Sequence, residues 1–153
     1  MKPTLTLPKE LVRMLNTGSW KHPGDTILSE LIPFIRDPIE FRTSIDPNHR
    51  DYLLGEDQIE DEIFREYRGS SSVERSLPWR DVELSILIAI NKIPGDDIAI
   101  GLDFRTSNVD SRVIANEWID GPEQGCYWRE VAPTFSDFAF RLRCKTQIQN
   151  TSQ

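Results

Sequence analysis

The segment Ile98-Ala-Ile-Gly-Leu-Asp-Phe104 most restricts how this chain can fold. Ile98, Ile100, Leu102 and Phe104 alternate strictly with Ala99, Gly101 and Asp103. Successive side chains of an extended backbone point to opposite faces, so this period of two makes a strand with one strongly apolar face. The opposite face is small or polar, and the strand is therefore expected to be half-buried. Such a strand needs neighbours to satisfy its edges and a layer of side chains to cover its apolar face.

The neighbours are written on either side of it. Leu84 to Ile90 is short and rich in branched residues, and it is followed by the turn signal Pro94-Gly95. It reads as a strand pairing antiparallel with the Ile98 strand. Past the loop Thr106 to Ser111, Arg112 to Trp118 supplies a third strand, and Asp120 to Gly125 turns the chain into a fourth, Cys126 to Val131. Four sequential strands make an antiparallel meander.

The covering layer comes from the two ends. Pro133 discourages helix at Ala132, Thr134 and Asp137 resemble a capping box, and Phe135, Phe138, Ala139 and Leu142 then fall at i, i+3, i+4 and i+7. A short helix carrying two phenylalanines onto the sheet is expected. Near the N-terminus, Pro8 opens a helix with Leu11, Val12 and Leu15 on one face, and Thr17-Gly18 stops it. Asp25 is positioned to cap a second helix carrying Ile27, Leu28, Leu31 and Ile32, bounded by Pro33. Residues 33–50, with three prolines, read as irregular connection, and Ser70-Ser71-Ser72 as a flexible loop.

Between these lies the densest charge run, Gly55 to Gly69. Ile59, Ile63 and Tyr67 recur every four residues beside Phe64, the spacing of a helix with one buried stripe. Glu56, Asp57, Glu60 and Asp61 stand towards its start and Arg65 and Arg68 at its end, which complements the helix dipole. The reading is a single α+β domain over residues 1–146. It has an antiparallel meander of about four or more strands, with N-terminal helices and a C-terminal helix packed on the sheet, followed by a frayed polar tail, residues 147–153.

The balance of charge narrows the partners. Twenty-five acidic against eighteen basic side chains give a formal charge of −7 and a pI near 4.9. That argues against a surface that tracks phosphates, so no nucleic-acid partner is expected. Acidity of this order keeps a chain soluble, as in many ordinary proteins, and is also compatible with faster encounter with a basic protein partner. No apolar run approaches the ~20 residues that cross a bilayer, so no membrane partner is expected. The opening residues lack the apolar core of a secretory signal, and a cytoplasmic location is expected.

Converging catalytic groups are hard to find. His22, His49, Cys126 and Cys144 occur in no C-x-x-C or H-x-x-x-H spacing, so neither a zinc site nor a disulfide framework is expected. There is no G-x-S-x-G, P-loop or G-x-G-x-x-G, and no cofactor is expected. Cys126 falls within a strand, where a small buried thiol is the common state. The most enzyme-like cluster is Asp96, Asp97, Asp103 and Arg105. A metal-dependent phosphodiesterase using Asp97, Asp103 and Arg105 is the alternative reading. Against it, the acids at 96 and 97 belong to a turn, and Asp103 with Arg105 makes a surface ion pair. Trp20, Trp79, Trp118 and Trp128 read as core or rim anchors, with Trp118, just before Gly121-Pro122, the one most expected to be exposed.

The run from Pro94-Gly-Asp-Asp through Leu102-Asp-Phe, Arg112-Val-Ile and Trp128-Arg-Glu-Val-Ala-Pro-Thr-Phe-Ser-Asp-Phe138 resembles the C-terminal half of the SUKH superfamily. That superfamily includes the yeast cell-wall-assembly regulators and many bacterial immunity proteins, and the Leu7-Pro8 opening also looks like its beginning. Where members often carry Asn-Gly or Gly-Gly after the first helix, this chain has Thr17-Gly18, and residues 33–80 match nothing in the family pattern. The resemblance implies an α+β domain without catalytic residues that binds and neutralises a toxin, often a nuclease or deaminase. A stand-alone regulatory scaffold is a further alternative. The family's interface follows no fixed motif, so position alone suggests the protein-binding residues. These are Asp57, Glu60, Asp61 and Glu66 on the acidic helix, Asn108 and Asp110 in the loop, and Trp118.

Overall fold

The computed structural model describes residues 4–47, 70–71, 77–93, 98–120 and 125–151. The acidic run, the Pro94–Asp97 turn, His49 and the Gly121–Gln124 turn lie outside them. Within the described residues, α1 (Lys9–Thr17) and α2 (Asp25–Leu31) precede β1 (Ile39–Phe41), β2 (Ser70–Ser71), β3 (Arg80–Asp81), β4 (Ser85–Asn91), β5 (Ala99–Asp103), β6 (Arg112–Ile119), β7 (Gly125–Ala132) and α3 (Phe135–Thr151). The principal sheet has five strands in the order β1-β4-β5-β6-β7, every pair antiparallel. The three helices pack on it, and the protein is an α+β domain.

The alternation in β5 does what its spacing predicts on one face. Ile98, Ile100, Leu102 and Phe104 all join the main core with Ile86 and Ile88 of β4, Val113 and Ala115 of β6, and Leu11, Met14, Ile27 and Leu28 of α1 and α2. Phe135 and Phe138 of α3 are fully buried there, and Trp20 closes the stack, its ring 4.4 Å from Phe41 and 5.8 Å from Phe135. The start of α3 follows the capping signal, with the Asp137 amide donating to Thr134 Oγ1 at 3.1 Å. Gly18 ends α1 in the left-handed conformation, φ 74°, which a residue without Cβ adopts at little cost.

The other face of β5 departs from the expectation of a half-buried strand. Ala99 and Asp103 have no exposure, and a second apolar cluster forms there from Leu87, Ala99, Ile114, Cys126 and Trp128. The chain around Pro78 folds onto this side, where the Trp128 amide donates to the Pro78 carbonyl at 2.9 Å. Within the sheet itself Gly101 leaves room for the neighbouring strand: a Cβ there would stand 3.3 Å from Leu87 Cδ2 and 3.4 Å from the Ile86 carbonyl oxygen. Both faces of the sheet are therefore covered.

Local readings are corrected elsewhere. In α1 the residue buried beside Leu11 is Met14, while Val12 faces outward at 40% exposure. Gly24, not Asp25, takes the cap position of α2, and Asp25 is its first residue. The 33–50 connection contains β1, which pairs with β4 at the sheet edge. Ser70–Ser71 pairs in parallel with Arg80–Asp81, so it is not simply a loop. The expected tail is also helical to residue 151, because nothing between Phe135 and Thr151 breaks the helix: that stretch contains neither glycine nor proline.

Candidate functional site

The enzyme-like pair of the sequence becomes a buried ionic centre. Register places Ser85 opposite Asp103, and Asp103 opposite Arg112. Asp103 accepts from Arg105 Nε at 2.9 Å and Arg105 Nη2 at 3.0 Å, and from Arg112 Nε at 3.0 Å with a further short contact to Arg112 Nη2. The Arg105 amide adds a fifth bond at 3.1 Å. The expectation of a surface pair is thus corrected: the Asp103 side chain is 1% exposed and those of Arg105 and Arg112 9% and 16%. Burial alone would raise the carboxyl's pKa, but the two guanidiniums and the amide outweigh it and hold it below the ordinary range.

This centre extends along the covered face. Arg80, 1% exposed, donates to Ser85 Oγ at 2.8 Å and lies 5.0 Å over the Trp128 ring. Arg105 Nη2 also donates to the Trp79 carbonyl at 2.8 Å, tying the covering segment to the strand. Asp81 accepts from the Glu83 amide at 3.0 Å. Its carboxyl is pushed up by burial, against the opposing pull of that bond and of Arg105. Arg112 is the member that sequence reasoning missed. The signal was present in the hairpin itself, since the residues flanking a loop between paired strands face one another.

A carboxylate held by two guanidiniums has spent its lone pairs and its charge on the fold. Asp96 and Asp97, the further ligands that the phosphodiesterase reading needs, lie outside the described residues. Among the described residues, no group of three or more His, Cys, Asp or Glu side chains is placed to hold a metal ion. Cys126 is a buried thiol that accepts from Asn116 Nδ2 at 3.1 Å, and His22 sits in a loop where its Nδ1 accepts the Gly24 amide at 2.9 Å.

The candidate docking residues separate into different roles. Asp57, Glu60, Asp61 and Glu66 lie outside the described residues. Asp110 is a structural cap: its Oδ1 accepts the Ser136 amide at 3.1 Å, satisfying a donor in the first turn of α3. Ser107 Oγ accepts the amides of Val109 and Asp110 at 3.1 and 3.2 Å, so the loop is braced from within as well. At its tip Asn108 is exposed and Val109 is 74% exposed. Trp118 is half-buried, not exposed as expected, because it packs against both apolar clusters. It borders a hollow of about 320 Å³ with Phe34, Asp37, Ile98 and Glu117. No family model, curated protein or solved structure matches this chain. Among the described residues, no helix is long and apolar enough to cross a membrane.

Proposed function

We propose that this chain is a non-enzymatic protein-binding module of the immunity type, which binds and neutralises a basic bacterial toxin domain of the nuclease or deaminase class. The observation that carries the reading is the state of Asp103. Among the described residues, the carboxylate best placed by sequence for chemistry is enclosed and fully engaged by Arg105 and Arg112. The outward-facing groups are of a docking kind: a braced loop presenting Asn108 and Val109, and an aromatic-edged hollow beside Trp118.

Two further considerations support it. The resemblance of residues 94–138 to the SUKH superfamily implies a binding role. Charge points the same way: residues 51–69 hold seven acids and two arginines, a local balance of −5 within a chain of −7. An acidic segment of that kind steers a basic partner and competes with the phosphates that a nuclease groove binds.

Co-expression tests the proposal. In cells producing a panel of basic nuclease- and deaminase-class toxin domains, production of the chain is expected to protect against at least one, and that pair is expected to co-purify. Survival without co-purification, or no protection and no complex, overturns the reading.

A further inference from the structure

A concavity of about 340 Å³ lies on the helical side of the sheet, between α1, the Ser19–Pro23 connection and the second half of α3. Its base is apolar: Met14 and Leu142, 2% and 5% exposed, with Pro23 at one side. Its rim is cationic. Arg13 and Arg143 come from facing helices and share one carboxylate, Glu10, whose Oε1 lies 2.7 Å from Arg13 Nη2 and 3.0 Å from Arg143 Nη1. Lys21 is exposed and makes no ion pair among the described residues. Glu10 is held below its ordinary pKa by its hydrogen bond to Arg13, against the smaller effect of burial, so it stays ionised and fixes the two arginines.

Three cations thus stand against Glu10 and, at the outer edge, the exposed Asp25, which lies 3.7 Å from His22 Nε2. The rim is left positive on a chain whose total charge is −7. A predominantly apolar cavity of this size with a few polar groups on one side is the usual form of a small-ligand site. With Met14 and Leu142 already 2% and 5% exposed, the apolar surface removed from water is mainly the ligand's own, and the positive rim selects the sign of the head group.

We propose that this groove is a binding site for a small amphiphilic carboxylate, its hydrocarbon seated on Met14, Pro23 and Leu142 and its carboxylate held by Lys21 and Arg143. The site is independent of the docking role above, and a toxin partner neither requires it nor excludes it. The general field of an acidic protein repels such a ligand, so preference for an anion here reports the local rim and not the whole surface.

The test is a titration of the full, isotope-labelled chain with decanoate, followed by amide chemical shifts, with decanol and decyltrimethylammonium as matched arms. Saturable shifts are expected at Met14, Lys21, His22, Leu142, Arg143 and Thr146, with both control amphiphiles binding at least about tenfold more weakly. Lys21→Gln, an exposed change outside the core, is expected to weaken decanoate about fivefold with no change in melting temperature. Leu142→Ala, which removes part of the base, is expected to weaken all three amphiphiles. Equal binding of the ammonium compound, shifts scattered away from the groove, or undiminished affinity in Lys21→Gln would overturn the proposal. So would a groove occupied only by acidic peptides and not by decanoate.

Discussion

Replacing Asp103 by Asn keeps the shape of the side chain and removes its charge, which isolates what the carboxylate does. In the native protein Asp103 receives four guanidinium hydrogen bonds and one from an amide, in a site where its side chain is 1% exposed. Asparagine has one acceptor oxygen, and its amide nitrogen would point a donor at a guanidinium that is itself only a donor. Breaking a buried pair from one side costs about 3–5 kcal/mol, because the remaining charge is left uncompensated. Arg112 is 16% exposed and lies 3.8 Å from Glu130, so part of its charge finds water or a second partner. The lower end applies, about 3 kcal/mol. For a chain of this size that corresponds to a fall in melting temperature of roughly 6–12 °C. Urea titration of the two proteins at neutral pH measures it directly.

The acid side supplies a second check on the same residue. The folded-state pKa of Asp103 lies below its unfolded value, so the contribution is complete above the unfolded pKa of about 3.9 and is lost as pH falls through the folded value. The stability gap between wild type and Asp103→Asn should therefore hold down to about pH 4 and close below it. A gap under about 1 kcal/mol at neutral pH, or one that persists unchanged in strong acid, would refute the reasoning.

Removing the Asp110 carboxylate with Asp110→Ala should cost about 1 kcal/mol, the usual worth of a helix N-terminal cap, and lower the melting temperature by roughly 2–4 °C, read by calorimetry. Asp81 carries the opposite sign from Asp103. Burial raises its folded-state pKa, so wild type should lose stability as pH rises from about 4 through that value, and Asp81→Asn should flatten this slope in urea titrations across the interval. An unchanged slope would show that Asp81 is ionised without penalty.

Local periodicity carried much of the architecture. The alternation from Ile98 to Phe104 and the i, i+3, i+4, i+7 spacing of Phe135, Phe138, Ala139 and Leu142 are complete within a few residues, and both elements form where they are written. What needed distant partners was not legible. β1 is three residues long beside Pro38, and it exists because β4 offers it an edge. The second face of β5 reads as solvated because Ala99, Gly101 and Asp103 are small or polar, and among the described residues it is buried by partners distant in sequence, the chain around Pro78 with them. Asp110 looked like a free surface acid because its role depends on Ser136, far along the chain.

The candidate site divides along the same line. Asp103 and Arg105 were recognised as a pair from their spacing, but the difference between an exposed pair and a buried centre rests on Arg112 and on the covering segment. Exposure was misjudged in both directions. The place of Trp118 before a turn predicts exposure, yet it packs against both apolar clusters. Val109, apolar and without a periodic signal, stands 74% exposed at the tip of a braced loop.

The central claim, that the polar surface serves docking, is tested most directly by calorimetric titration of the full chain into basic nuclease- and deaminase-class toxin domains, at about 50 and about 300 mM salt. The account predicts a stoichiometric complex that weakens at the higher salt by about tenfold or more, as expected when opposite charges guide association. Absence of binding at both salt concentrations, or an affinity indifferent to salt, would contradict it.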